Sequence, residues 1–245
     1  MKVAFYTTAG PSRHLNQDGL YIDGSPYVDM LEPEIRQLAK LAGFFAVVDG
    51  MGGMGGGEVA TEIILEGFNK HFSEPALGDC KNLEKGLLGI QKELHARATV
   101  YPFMGAAVAG LWIQQDKATV FNCGDCRVYQ IQAGRLEKIS HDHSIVQELF
   151  DEGEISAEEM RHHPLKHILA SALSASDADP RIFCQQITLA RGERFLICSD
   201  GLWECLSLAE LEACLAQENA AQALKTSIFA KNARDNVSFI ILDLA

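Results

Sequence analysis

The sequence predicts an α+β protein, a four-layer αββα sandwich in which helices flank two central, mostly antiparallel β-sheets. Three observations carry that expectation. Short runs rich in Val, Ile and Phe and bounded by Gly, Asp or Asn recur over 3–8, 19–23, 43–49, 106–115, 118–123, 127–132, 182–189, 194–199 and 237–243. Tight-turn signals at Asp116-Lys117 and Gln132-Ala133-Gly134-Arg135 mark hairpins, so the neighbouring strands run antiparallel. Amphipathic helical patterns lie between the strand groups, each with an apolar face to bury against a sheet.

The helices follow in chain order. From Gly57, the apolar residues Val59, Ala60, Ile63, Ile64 and Phe68 recur at helical spacing, with Glu58 and Glu62 on the outer side. Residues 82–98 repeat the pattern with Leu83, Leu87, Leu88, Ile90 and Leu94. Shorter helices are expected at 144–152, 156–162, 208–215 and 220–229; Ser207 followed by Glu210 forms a capping box for the third of these. No linker, repeat or low-complexity tract interrupts the chain, and glycine is concentrated at 50–57. A single domain over 1–245 is the simplest account.

At 245 residues and 47% apolar content the chain can bury a large core. Its 33 acidic and 21 basic residues give a formal charge of -12, which argues against a nucleic-acid or anionic-membrane partner. Divalent cations could still reverse the sign locally and admit a phosphorylated substrate. The seven cysteines (Cys80, Cys123, Cys126, Cys184, Cys198, Cys205 and Cys214) sit mostly in apolar runs and read as reduced, buried side chains of a cytoplasmic protein. Cys123 and Cys126 have C-x-x-C spacing, but no second pair completes a zinc site, so a structural role is expected. The N-terminal residues show no signal-peptide pattern, and no run approaches a membrane span.

Chemistry is suggested by four aspartates, each where an apolar run meets a turn-former: Asp49 before Gly50, Asp125 after Gly124, Asp200 before Gly201, and Asp235 before Asn236. Carboxylates held at strand mouths repel one another unless a cation lies between them, and hard oxygen donors suit Mg²⁺ or Mn²⁺. Each one alone is as well explained as a turn residue. The run Asp49–Glu58 lacks the Lys-Ser/Thr of a P-loop, and its acid would repel a bare phosphate. Its glycines are expected instead to turn the backbone sharply and expose the Gly50 carbonyl as a hard ligand.

Taken in order, several blocks resemble the metal-dependent serine/threonine protein phosphatases of type 2C, particularly the compact bacterial members. They are Arg13-His14-Leu15-Asn16-Gln17-Asp18; Asp49-Gly50-Met51-Gly52-Gly53 running on to Gly57-Glu58-Val59-Ala60-Thr61; Met104-Gly105; and Asn122-Cys123-Gly124-Asp125-Cys126-Arg127. Ser140-His141-Asp142-His143-Ser144, Ser199-Asp200-Gly201-Leu202-Trp203 and Asp235-Asn236-Val237-Ser238 complete the series, which spans about residues 8–243. The resemblance implies two Mn²⁺ or Mg²⁺ ions per site. Asp49 would bridge them, the Gly50 carbonyl would bind the second, and Asp200 and Asp235 the first. Asp125 and Asp200 match the positions for a third, weaker cation. Arg13 matches the arginine that grips substrate phosphate, and Asp18 an acid that steadies water around the metal; without the neighbouring motif, a surface salt bridge would be the plainer account of Arg13.

The same resemblance implies hydrolysis of phosphoserine and phosphothreonine in proteins by direct attack of activated water, opposing a bacterial serine/threonine kinase. A cytoplasmic, monomeric enzyme with phosphorylated protein partners is expected. No Cys-x5-Arg loop is present to form a phosphoenzyme. Residues 143–173 correspond to a flap beside the cleft, acidic at Asp151–Glu154 and basic at Arg161–His167. Three positions depart from the pattern. Gln17 replaces a glutamate found in some relatives, Met51 a histidine of animal members, and Ala106-Ala107 a pair of threonines. A non-catalytic binding module of the same fold, or a hydrolase of small phosphate esters, are the alternatives.

Overall fold

Five consecutive residues, Phe44 to Val48, are buried, and the strand pleat sends them to opposite faces. Phe44, Ala46 and Val48 join an apolar cluster beneath two helices, while Phe45 and Val47 enter a second cluster between two sheets. Residues of the last strand divide likewise: Ile240 and Leu242 face the inter-sheet cluster, and Phe239 and Ile241 a third cluster under the C-terminal helices. Three apolar layers of this kind require four layers of secondary structure.

The computed structural model describes residues 1–39, 41–53, 55–72 and 78–244. Met54, within the expected glycine-rich turn, lies outside the described residues. The elements are β1 (Lys2–Thr8), β2 (Asp18–Ile22), β3 (Ser25–Tyr27), β4 (Glu34–Gln37), β5 (Ala42–Met51), α1 (Gly56–Phe72), α2 (Cys80–His95), β6 (Gly105–Gln114), β7 (Lys117–Cys123), β8 (Arg127–Gln132) and β9 (Arg135–Lys138). They continue with α3 (Ile145–Asp151), α4 (Ala157–His162), β10 (Leu173–Ser174), β11 (Phe183–Thr188), β12 (Arg194–Cys198), α5 (Asp200–Cys205), α6 (Leu208–Leu215), α7 (Ala220–Ala230) and β13 (Val237–Asp243).

One sheet has the order β4-β1-β13-β12-β8-β9 and the other β11-β7-β6-β5-β2-β3, with β10 paired to β6. Among the described residues all the strand pairings are antiparallel. Helices α1 and α2 cover the second sheet and α5 to α7 the first, as the four-layer expectation required. Both expected hairpins form; in the second, Ala133 and Gly134 take positive φ (48° and 79°), the conformation of a tight hairpin turn. Ser207 and Glu210 make the expected reciprocal capping box.

One helix was not expected, and one expectation needs correction. Asp200 follows β12, where the apolar run ends as expected, but it also opens helix α5, which the short sequence DGLWEC did not reveal because six residues are too few to show a helical period. The cysteines are not all reduced: Cys80 at the start of α2 is bonded to Cys184 in β11, with Cα atoms 5.7 Å apart. Pairing β11 onto the edge of β7 carries Cys184 to the foot of α2, a meeting that a sequence separation of 104 concealed. Cys123, Cys126, Cys198, Cys205 and Cys214 are free.

Candidate active site

Asp18 opens β2 and Asp49 lies near the end of β5, and the antiparallel register sets the two directly opposite one another. Asp18 is buried and accepts a hydrogen bond from the Ser199 hydroxyl (2.8 Å). That hydroxyl is therefore not used to cap α5, although Ser199 occupies the N-cap position. Ser199 in turn accepts from the backbone N–H of Ser238 (3.0 Å), tying together the ends of β2, β12 and β13.

Close approach at Gly201 brings Asp200 to the segment that carries Asp235. A Cβ there would overlap the carbonyl oxygen of Asn236, so only glycine lets the first turn of α5 lie against the start of β13. Asn236, to which the sequence assigned no role, is a hub. Its Nδ2 donates to the carbonyls of Ala9 (3.2 Å) and Leu15 (2.8 Å), and its Oδ1 accepts from the Gln17 backbone (2.9 Å). The loop bearing Arg13 is thereby fixed beside Asp235. Arg13 Nη2 donates to Asp235 Oδ2 (2.8 Å) and its Nε to the Arg234 carbonyl (3.2 Å). The ion pair that is the plainer account of Arg13 taken by itself is present, and it is with a candidate ligand.

Asp125 follows Gly124 in the β7–β8 turn. Its backbone carbonyl accepts from Trp203 Nε1 (3.1 Å), and the Arg127 guanidinium lies 3.5 Å from the centre of the Trp203 ring. Arg127 also donates to Asp142 from Nε and Nη2, the latter at 2.7 Å, in a largely buried ion pair. Arg127 shares a block with Asp125, but nothing in the sequence joined Trp203 and Asp142, from other blocks, to that pair. His143 accepts from the Gly124 N–H (3.1 Å), the local backbone contact that holds this turn from the flap side. Ala107, at one of the departures, packs its Cβ against Gly124.

Burial and mutual repulsion mark these acids. Burial first, then the neighbouring Asp200 and Asp235, hold the Asp18 carboxyl up to about 7 against hydrogen bonds from Ser238 and Ser199 that lower it. Asp125 is pushed up to about 8 by burial and by Asp200 and Asp142. Asp200 rises to about 6, chiefly by burial and then by Asp235. Asp49 is raised well above the ordinary carboxylate range by burial, by Asp18, Asp200 and Asp125, and by its hydrogen bond to Asp200. The chain thus brings Asp18, Asp49, Asp125 and Asp200 into one electrostatic unit, with Asp235 and Arg13 at its exposed edge.

This donor set fits hard divalent cations: it is all oxygen, largely buried, and more negative than its surroundings can neutralise. Among the described residues no three His, Cys, Asp or Glu side chains yet form a ready ligand cluster. Asp49 and Asp200 hydrogen-bond to each other, and both oxygens of Asp235 are engaged, one by Arg13 and one by the Asn236 N–H (2.9 Å). A cation would replace these bonds, which are what acids crowded together form with protons and an arginine. The C-x-x-C pair is buried, and burial pushes the Cys123 thiol up to about 12 and Cys126 well above its usual value, as an unreactive structural role requires.

The fold and site together are those of a two-sheet αββα sandwich with aspartates converging at one end of its strands. The family profile for protein phosphatase 2C matches residues 18–228, and the chain belongs to that family. Its sequence is 27% identical to the serine/threonine phosphatase stp of Listeria innocua, over 99% of this chain and 96% of that protein. The crystal structure of the Mycobacterium tuberculosis serine/threonine phosphatase PstP superposes with a TM-score of 0.83 at 24% identity, covering 100% of this chain and 99% of that one. A second structure, the PstP catalytic domain in complex with 2 manganese ions, gives a TM-score of 0.79 at 24% identity over 99% of each chain. The chain is an enzyme of this phosphatase family. Among the described residues no helix is long and apolar enough to cross a membrane.

Proposed function

We propose that the protein hydrolyses phosphoserine and phosphothreonine in other proteins and so opposes a serine/threonine kinase. The observation that carries this is the electrostatic unit of Asp18, Asp49, Asp125 and Asp200, drawn from four distant parts of the sequence. Asp49, the Gly50 carbonyl, Asp200 and Asp235 would hold two cations, and Asp125 with Asp200 a third. Bound there, Mn²⁺ or Mg²⁺ supplies a water reactive at neutral pH and neutralises charge building on the phosphoryl oxygens. Manganese in the PstP catalytic domain supports that choice of ion.

The chain's own residues do the rest. Arg13 presents a planar fork suited to two phosphoryl oxygens, and its ion pair with Asp235 pre-positions it at the rim. Its side chain is 53% exposed, which suits a phosphate borne on a protein and not a small ester in a narrow pocket. Asp18, held by Ser199, lines the buried wall opposite Asp49. Met51 has no proton to give, so the leaving oxygen must take its proton from water.

We read residues 1–245 as one catalytic domain, with 143–173 as a flap. The flap is tied to its surroundings by Lys166 and His167 on Glu204, and by His141 on Asp151 (2.9 Å). We place the enzyme in the cytoplasm as a monomer; the Cys80–Cys184 bond counts against that compartment, where thiols are kept reduced. The experiment is hydrolysis of a phosphothreonine peptide with Mn²⁺, with and without chelator, by wild type and Asp200→Asn. Turnover should require Mn²⁺ and vanish in the variant. Undiminished activity in either arm refutes the mechanism, and inert wild type points to a non-catalytic binding module.

A further inference from the structure

The candidate ligands are unevenly charged: Asp49, Asp125, Asp200 and Asp235 are carboxylates, whereas the Gly50 carbonyl is neutral. What stands beside that carbonyl is therefore decisive. Gly50 donates its N–H to the Gln17 carbonyl (3.1 Å), which also accepts from Thr61 Oγ1 (2.5 Å). Gly57, at the start of α1, closes over the same point. A Cβ on Gly57 would lie 3.0 Å from the Gly50 carbonyl oxygen and 2.6 Å from Gln17 Nε2, so these two polar groups are neighbours across the space the glycine leaves. Gln17 Nε2 donates to Glu58 Oε2 (3.0 Å). Glu58 is half-buried and, among the described residues, has no cationic partner.

We propose that Glu58 supplies the negative charge for a cation on the Gly50 carbonyl, accepting from that cation's waters, with Gln17 as the positioning residue that orients it. This rests on the metal-dependent reading above. The chemistry follows from the parts: Mg²⁺ and Mn²⁺ keep several waters, those waters need acceptors, and an amide pinned at both its backbone and side chain holds the carboxylate in place. Glu58 follows directly on the glycine that gives this access, so helix α1 delivers the charge without entering the ligand shell.

The test is calorimetric Mn²⁺ titration of chelator-stripped full-length protein: wild type, Glu58→Gln, Gln17→Glu and the double swap. Glu58→Gln keeps the size and can still accept the Gln17 amide; an unchanged thermal midpoint in chelator confirms that it folds. Its weaker Mn²⁺ site should lose about tenfold or more in affinity, the usual effect of removing an outer-shell partner. The swap, which returns a carboxylate to the pair, should recover most of that loss. Glu58→Asp, which withdraws the charge by one methylene, should fall between wild type and Glu58→Gln. Equal affinity in wild type and Glu58→Gln overturns the proposal, as does a double swap no tighter than Glu58→Gln. Wild type that binds no Mn²⁺ would instead sink the metal-dependent function on which it stands.

Discussion

Raising the pH of the metal-free protein should destabilise it, and divalent cations should reverse that trend. Asp18, Asp49, Asp125 and Asp200 are raised, so their sign is fixed: the folded chain holds protons that the unfolded chain has released. Their stabilisation is complete below about pH 4, the unfolded value, and is lost as pH rises through about 6 for Asp200, about 7 for Asp18 and about 8 for Asp125. Asp18 alone, protonated when folded up to about pH 7, implies a loss of ~2 kcal/mol between pH 5 and 7, at ~1.4 kcal/mol per unit. Asp125 and Asp49 push the same way. His143 opposes, because burial lowers it to about 4 and the unfolded chain must give up a proton as pH rises; it is one group against four. Thermal unfolding in chelator across pH 5 to 8 reads the slope, and a parallel series in excess Mn²⁺ isolates the site, since His143 contributes equally to both. The gap between the two series should widen with pH. Parallel curves, or a metal-free protein that grows more stable toward pH 8, would refute the electrostatic account of the site.

Other outcomes follow from single contacts. Gly201→Ala should cost about 1–3 kcal/mol or more in urea unfolding and weaken Mn²⁺ binding as well, because the new Cβ drives α5 away from Asn236; normal metal binding would show that this approach does not set the Asp200–Asp235 spacing. Asp142→Ala leaves Arg127 buried without its carboxylate and should destabilise by about 3–5 kcal/mol, a loss that a thermal melt detects. Arg13→Ala should raise KM for a phosphopeptide while leaving Mn²⁺ affinity the same or tighter, since Asp235 is freed; steady-state kinetics that show only a fall in kcat would argue against phosphate binding. Cys80→Ser opens a link closing 104 residues and should cost about 4–5 kcal/mol by loop entropy. A melt unmoved by the substitution and by reductant would mean the bond does not form in solution.

Much of the fold was legible because its strands announce themselves locally. The runs around Val47, Val120, Ile197 and Ile240 are apolar on both faces, as buried strands must be; the turn at Ala133–Gly134 sits where turn chemistry put it, and the other hairpin turns at Gln115–Asp116, one residue before the expected pair. The elements that went unseen are the short ones: β3, β4, β9, β10 and α5 have two to six residues each, too few for a period to emerge. The cysteine pairing failed for a different reason, since no local property of Cys80 distinguishes it from Cys214.

By itself the sequence determined which residues could do chemistry, because an aspartate beside glycine at the end of an apolar run carries its meaning locally, and the order of such blocks identifies the family. Tertiary structure alone decided how they combine. The register of β2 against β5 faces Asp18 with Asp49, the missing Cβ of Gly201 lets Asp200 approach Asp235, Trp203 reaches the carbonyl of Asp125, and Gln17 meets Glu58. Each is a contact between segments distant in sequence, and such contacts are fixed by packing, which no window of the sequence contains.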